Sequence, residues 1–203
     1  LLVELNVAPL LGANLRDLET AFVASGRSLE KSTELGGTRG RLSVIYISNN
    51  IKKLSSVIYT HEHSDQTNGL FELRPYFWKN KKKINIYGTS RTMKLLKKRF
   101  DYCFKDTSAY PSIVKANLIK KNFSLGHSKE KIFFKTLLLK HGSVKSLAYI
   151  FEKTAYISDC NDLSIVKIYK LKNLKFLIID CCRIAKHPTH FCLDESLYVH
   201  HHL

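Results

Sequence analysis

The chain of 203 residues has no apolar run of membrane-spanning length. Leu1–Leu11 comes nearest, but Glu4, Asn6 and Pro9 interrupt it, so it suits neither a signal peptide nor a helix that crosses a bilayer. An initiating Met is also missing, and the opening Leu1 suggests a trimmed, partial or rearranged product. The five cysteines (Cys103, Cys160, Cys181, Cys182 and Cys192) show no paired zinc spacing. Adjacent Cys181 and Cys182 read as strand residues, and an odd count without a framework points to a reducing, cytoplasmic compartment. Internal repeats and low-complexity tracts are absent, and the length suits one domain with a real core. Acidic residues are few: 17 Asp and Glu stand against 33 Lys and Arg, a formal charge of +16. Such a field gathers anions, which favours a phosphorylated small substrate and, ranked lower, nucleic acid. Lysine is spread along the chain, however, and Lys79-Asn80-Lys81-Lys82-Lys83 also reads as a solvated loop.

The residues that carry chemistry gather at Ser56-Val57-Ile58-Tyr59-Thr60-His61-Glu62-His63-Ser64-Asp65-Gln66-Thr67-Asn68-Gly69. An apolar strand breaks off there into two histidines two apart. Alternate residues at a strand end point the same way, so His61 and His63 can reach one metal ion together. Asp65, past the strand, can turn to the same ion or to a second one, and zinc accepts imidazole nitrogen and carboxylate oxygen readily. Surface histidines are the plain alternative, but a buried strand opening into a Thr-Asn-Gly loop is not a solvated face.

From Arg41 onward short apolar strands alternate with helices, the pattern of layered α/β packing. The expected strands are Leu42–Ile47, Ser56–Tyr59, Ile84–Tyr87, Ile132–Leu139, Ala148–Phe151, Ala155–Ile157 and Phe176–Ile179. Ser90–Arg99, Leu163–Leu171 and Leu193–Val199 read as helices. Within residues 1–37, Leu15, Leu18, Ala21 and Phe22 recur at helical spacing after a potential Asn14 cap, but Gly26, Gly36 and Gly37 break the segment.

The histidine stretch resembles the signature of the metallo-β-lactamase fold, His-x-His-x-Asp-His. Asn68-Gly69-Leu70-Phe71-Glu72-Leu73-Arg74 resembles the continuation found in the branch that contains the phosphoribosyl cyclic phosphodiesterase of phosphonate breakdown. Ile86-Tyr87-Gly88, Thr92 to Phe104, Lys140-His141-Gly142, Ala155-Tyr156-Ile157-Ser158-Asp159, Leu177-Ile178-Ile179-Asp180 and His187-Pro188-Thr189-His190-Phe191 resemble later parts of that branch. The resemblance spans about residues 38–199. It implies an αββα sandwich over residues 38–203, incomplete at both ends, with residues 1–37 unmatched. A strand ending in Asp that the family carries before the histidine motif is missing between Ile47 and Ile51. The family's last metal-binding His lies beyond the point where this chain stops, at His200-His201-His202-Leu203, histidines that could mimic that ligand but read better as a frayed tail or a cloning remnant.

Carried over position by position, the resemblance makes His61, His63 and His141 one metal site, with Asp159 bridging toward a second. Asp65 belongs to that second site and is a catalytic candidate, but Gln66 stands where the motif has its second-site His. An amide oxygen is a poor zinc ligand, so the expectation is one firmly held zinc and a weak or empty second position, with manganese as an alternative ion. His190 is the candidate general acid at phosphorus, ahead of His187; both also read as parts of a turn. His141 could equally be a packing histidine and Asp159 a helix cap, while Arg74 is open between a phosphate fork and a structural ion pair. The implied activity is zinc-dependent phosphodiester hydrolysis, weakened by the second-site losses. The rivals are a non-catalytic metal-binding descendant and an RNA-processing, nuclease-like member.

Overall fold

The computed structural model describes residues 20–22, 54, 56–126 and 131–203. The chain divides into two compact units, residues 2–119 and 120–203. The expected strand Leu42–Ile47 lies outside the described residues.

In residues 2–119 four strands form a parallel sheet in the order β1 (Thr20–Phe22), β2 (Ser56–Ile58), β3 (Ile84–Gly88), β4 (Val114–Leu118). Parallel neighbours need crossovers, and helices supply them. After β2 come α1 (Ser64–Thr67), a 3₁₀ stretch at Asn68–Leu73 and α2 (Arg74–Asn80); after β3 come α3 (Ser90–Arg99) and α4 (Asp101–Phe104). Helix α3 begins where Thr89 accepts the Thr92 amide at 3.1 Å. It buries Thr92, Met93 and Leu96 on one side, and Lys97, Lys98 and Arg99 end it, where cations complement the helix dipole. Met93 and Leu96 pack with Val57, Tyr59, Leu70, Leu73, Ile84 and Ile86 into one apolar core.

In residues 120–203 the sheet runs β5 (Phe123–Leu125), β6 (Ile132–His141), β7 (Val144–Phe151), β8 (Thr154–Ile157), β9 (Phe176–Ile179). Pairing is antiparallel as far as β8, and β9 then lies parallel to β8. Strand β6 changes its buried face partway along. Ile132 and Phe134 are buried at its start, where Phe134 meets Phe123, Tyr149 and Phe151. Leu137, Leu139 and His141, on the other parity, are buried at its end. His141 is therefore the last member of an inward row, which is why a polar ring lies inside. Leu137 and Leu139 join Ala148, Ala155, Ile157, Leu171 and Val199 in a second core. Helices α5 (Ile165–Ile168) and α6 (Leu193–His201) follow β8 and β9 respectively. Cys192 caps α6, with the Glu195 carboxylate accepting the Cys192 amide at 3.0 Å.

Several expectations are revised. Ala21 and Phe22 belong to a strand paired with β2, so sheet pairing overrides their helical spacing. Cys181 and Cys182 lie beyond β9 rather than inside it. His200 and His201 continue α6, and His202 donates from Nδ1 to the Tyr198 carbonyl at 2.8 Å, so the tail is helical rather than frayed. Among the described residues no helix is long and apolar enough to cross a membrane.

His141 and Val144 pair across a two-residue hairpin whose first central residue, Gly142, has φ +56°. That is the type II′ position, which favours glycine. A Cβ there would also meet Thr189 Cγ2 at 2.7 Å. Gly142→Ala should therefore destabilise the fold by about 1–2 kcal/mol from backbone strain alone, read as a lower urea midpoint; an unchanged midpoint would contradict this account of the turn.

Candidate metal centre

In residues 2–119, β2 delivers the histidine pair. The Tyr59 amide donates to the Tyr87 carbonyl at 2.8 Å, so pairing with β3 persists past Ile58 and holds the chain extended up to the motif. His61 is fully buried and bonds Thr60 Oγ1 through Nδ1 at 3.1 Å. Its Nε2 lies 3.1 Å from His63 Nδ1, the rings set edge to face. Two nitrogens about 2.0–2.1 Å from one tetrahedral zinc stand roughly 3.3 Å apart, so the pair already has the spacing of two ligands of one ion. The backbone of His63 is pinned as well: its carbonyl accepts Thr67 Oγ1 at 2.9 Å and the Gln66 amide at 3.1 Å.

Asp65 is exposed in the first turn of α1 and is not grouped with the two histidines. Gln66 is buried at 2 % exposure, and neither of its amide atoms has a hydrogen-bond partner among the described residues. An unmet buried amide is unfavourable by about 1–3 kcal/mol. Arg74 lies over the Tyr110 ring, 5.6 Å from its centroid, with Nη1 buried and unbonded.

In residues 120–203 the donors come from three successive strand ends. His141 Nδ1 donates to the Thr189 carbonyl at 2.6 Å. A carbonyl only accepts, so Nδ1 carries the proton, and in the neutral ring Nε2 presents its lone pair. This is the arrangement metal-ligating histidines show, with the second ring nitrogen tied to a backbone carbonyl. Nε2 stands 3.7 Å from Asp159 Oδ2, at the end of β8, too far for a hydrogen bond. That separation is close to the roughly 3.3 Å between two ligand atoms of one tetrahedral zinc. Asn161 braces the surroundings. Its Oδ1 accepts the Gly142 amide, its Nδ2 donates to the Pro188 carbonyl, both at 2.9 Å, and its own amide donates to the Lys140 carbonyl at 3.0 Å.

His190 is buried beside His141, ring centroids 4.8 Å apart. Its Nδ1 bonds Asp180 Oδ2 at 2.9 Å, and the same oxygen accepts the Cys160 amide at 3.1 Å and the Phe191 amide at 3.4 Å. Asp159, Asp180 and His190 thus form a close group with ligand-type atoms. Burial pushes the Asp180 carboxyl above the usual carboxylate range, partly offset by the Cys160 amide and by His190. His187 bonds Thr189 Oγ1 through Nδ1 at 3.2 Å and shapes the turn. His200 and His201 are exposed on α6. Within each unit, then, the structure brings His61 to His63, and His141 to Asp159 and His190. Asp180 and the Thr189 carbonyl were not singled out from the sequence. Asp180 carried the same signal as Asp159, an acid just past the end of an apolar strand, whereas a backbone carbonyl leaves none.

Raised in the folded state, the Asp180 carboxyl keeps its proton to a higher pH than it does unfolded. Stability it contributes is full below the unfolded value, about 3.9, and is lost as pH rises through the raised folded value. Metal-free protein should lose stability across that window in denaturant melts, and Asp180→Asn should lack this fall; identical profiles would contradict the assignment.

Comparison with known proteins places this geometry in context. A family model described as a beta-lactamase superfamily domain matches residues 39–203. A diphosphatase of the PhnP family has a similar structure: TM-score 0.68, 24% identity, 78% of this chain and 60% of that one. The metallo-β-lactamase fold protein YhfI of Bacillus subtilis gives 0.60, at 16% identity over 79% and 66%. The short form of human tRNase Z gives 0.54, at 14% identity over 79% and 73%. An octanoyltransferase of Porphyromonas gingivalis is 26% identical over 148 residues, which are 72% of this chain and 30% of that protein. The chain thus spans about a third of that relative's length. The structural likenesses show the fold.

Proposed function

The chain belongs to the beta-lactamase superfamily, and from that premise we propose that it is a metal-dependent hydrolase of phosphodiesters, with one zinc held by His61, His63, His141 and Asp159. The observation that carries the reading is the paired donor chemistry of the two units. His61 Nε2 and His63 Nδ1 lie at ligand spacing, and His141, its Nδ1 fixed by Thr189, faces the Asp159 carboxylate across a cation-sized gap. Zinc at these residues lowers the pKa of a bound water to about 7 and offsets charge on phosphoryl oxygens.

The remaining steps belong to the side chains. Asp180 takes the Nδ1 proton of His190 as a hydrogen bond, which orients the ring and leaves Nε2 as the atom that gives a proton to the leaving oxygen. The likeness to a PhnP-family diphosphatase and the charge of +16 support a small phosphorylated substrate. Similarity to tRNase Z keeps RNA as the second reading. Its mark would be binding that weakens steeply with salt. Octanoyl transfer is not proposed, because the aligned stretch is 30% of that relative and the donor set described here is that of a metal site.

Asp65 and Gln66 bear on a second ion. With an amide in place of an imidazole, that position should be weak for zinc, while oxygen donors suit manganese better. Elemental analysis should find about one zinc per chain, lost in His61→Ala, His63→Ala or His141→Ala variants, and Gln66→His should raise second-ion occupancy. Two tightly held ions in the unchanged chain would contradict this assignment. His190→Ala should slow a substrate with an alkoxide leaving group by about 10²–10⁴-fold and barely affect a nitrophenolate one, which needs little protonation. Equal losses on both would give His190 a binding role. Zinc-loaded protein that turns over neither substrate would favour the non-catalytic descendant.

A further inference from the structure

His61 and His63 sit on one side of the chain, so the residue between them, Glu62, must point away. Glu62 is an acid at 3 % exposure, and an acid that deep persists only with partners. Among the described residues its partners come from helix α3. The carboxylate takes a close ion pair from Arg91 Nε and a hydrogen bond from Thr92 Oγ1 at 3.3 Å. The Glu62 carbonyl accepts Arg99 Nη1 at 2.6 Å, from the far end of the same helix. Arg99 Nη1 also reaches Thr67 Oγ1 at 3.5 Å, and that hydroxyl donates to the His63 carbonyl at 2.9 Å. Arg91 and Arg99 are eight residues apart, roughly 12 Å along a helix, so α3 grips the loop at two separated points on either side of one peptide. Such a grip fixes the backbone torsions between the two rings, and with them the angle at which Nε2 and Nδ1 meet.

We propose that Glu62 is the positioning residue of the histidine pair: anchored to both ends of α3, it sets the mutual orientation of His61 and His63 without touching the ion. This rests on the metal-site reading given above. Side chains that orient ligands in this indirect way typically change metal affinity by about 10–100-fold when removed.

The test compares the full chain with Glu62→Ala, Glu62→Gln and Arg99→Gln. Zinc affinity is read by competition with a chromophoric chelator, ligand geometry by the visible spectrum of the cobalt(II)-loaded protein, and fold by the thermal midpoint without metal. The expected result is zinc binding weakened by about 10–100-fold in Glu62→Ala, with an altered cobalt spectrum at saturation. Glu62→Gln, which keeps an acceptor for Thr92, should recover most of the affinity. Should Glu62→Ala fail to fold, Arg99→Gln carries the test, with a smaller affinity loss and the same spectral change. Unchanged affinity and spectrum with only a lower thermal midpoint would make Glu62 a structural anchor and overturn the proposal. Absence of zinc binding by the unchanged chain would overturn the metal-site reading and this proposal with it, an outcome distinct from the first.

Discussion

A buried strand gives a polar side chain no water to bond until the strand leaves the core, and the candidate centre is built on that constraint. His61 follows the buried row Val57, Ile58, Tyr59; His141 ends the inward row of β6; Asp159 and Asp180 follow β8 and β9. Each is a polar group at, or within two residues of, the end of an apolar stretch, so each must be satisfied by a specific neighbour. The neighbours are Thr60 for His61, the Thr189 carbonyl for His141, Ser158 for Asp159, and His190 with two backbone amides for Asp180. Removing a neighbour would therefore disturb both the burial and the orientation of the functional atom.

The same constraint explains what could be read from the sequence. Ile84–Tyr87, Ala155–Ile157 and Phe176–Ile179 were legible as strands because short runs rich in β-branched and aromatic residues favour the pleated conformation, and the structure places strands at Ile84–Gly88, Thr154–Ile157 and Phe176–Ile179. Helix α3 was legible over Ser90–Arg99, and its Thr89 cap emerges from the structure. Strand β4 was not: it carries Lys115 and Asn117, both poor strand residues. Asn117 is held by Nδ2 bonds to Asn85 Oδ1 and to the Ile86 carbonyl, partners far away in sequence. Helix α2 was hidden by its aromatic composition, though Pro75 in its first turn was a start signal.

At the site, donor types were legible and their supports were not. His61, His63, His141 and Asp159 stand out because their residue types follow apolar strands. Their orientation rests on Thr189 through a backbone carbonyl, on Asn161 through three hydrogen bonds, and on Glu62 through side chains of α3. Contacts of this kind join positions 19 to 48 residues apart, and no local pattern encodes them. Gln66 is the converse case. Its departure from the family motif was plain in the sequence, while its burial with two unbonded amide atoms emerges only from the fold.

The central claim is the proposed set of zinc ligands, His61, His63, His141 and Asp159. Anomalous diffraction at the zinc edge from crystals of the purified protein tests it most directly. The account predicts a single strong peak about 2.0–2.2 Å from ligand atoms of His61, His63, His141 and Asp159. A peak bound to other residues, or two peaks of equal strength, would contradict it.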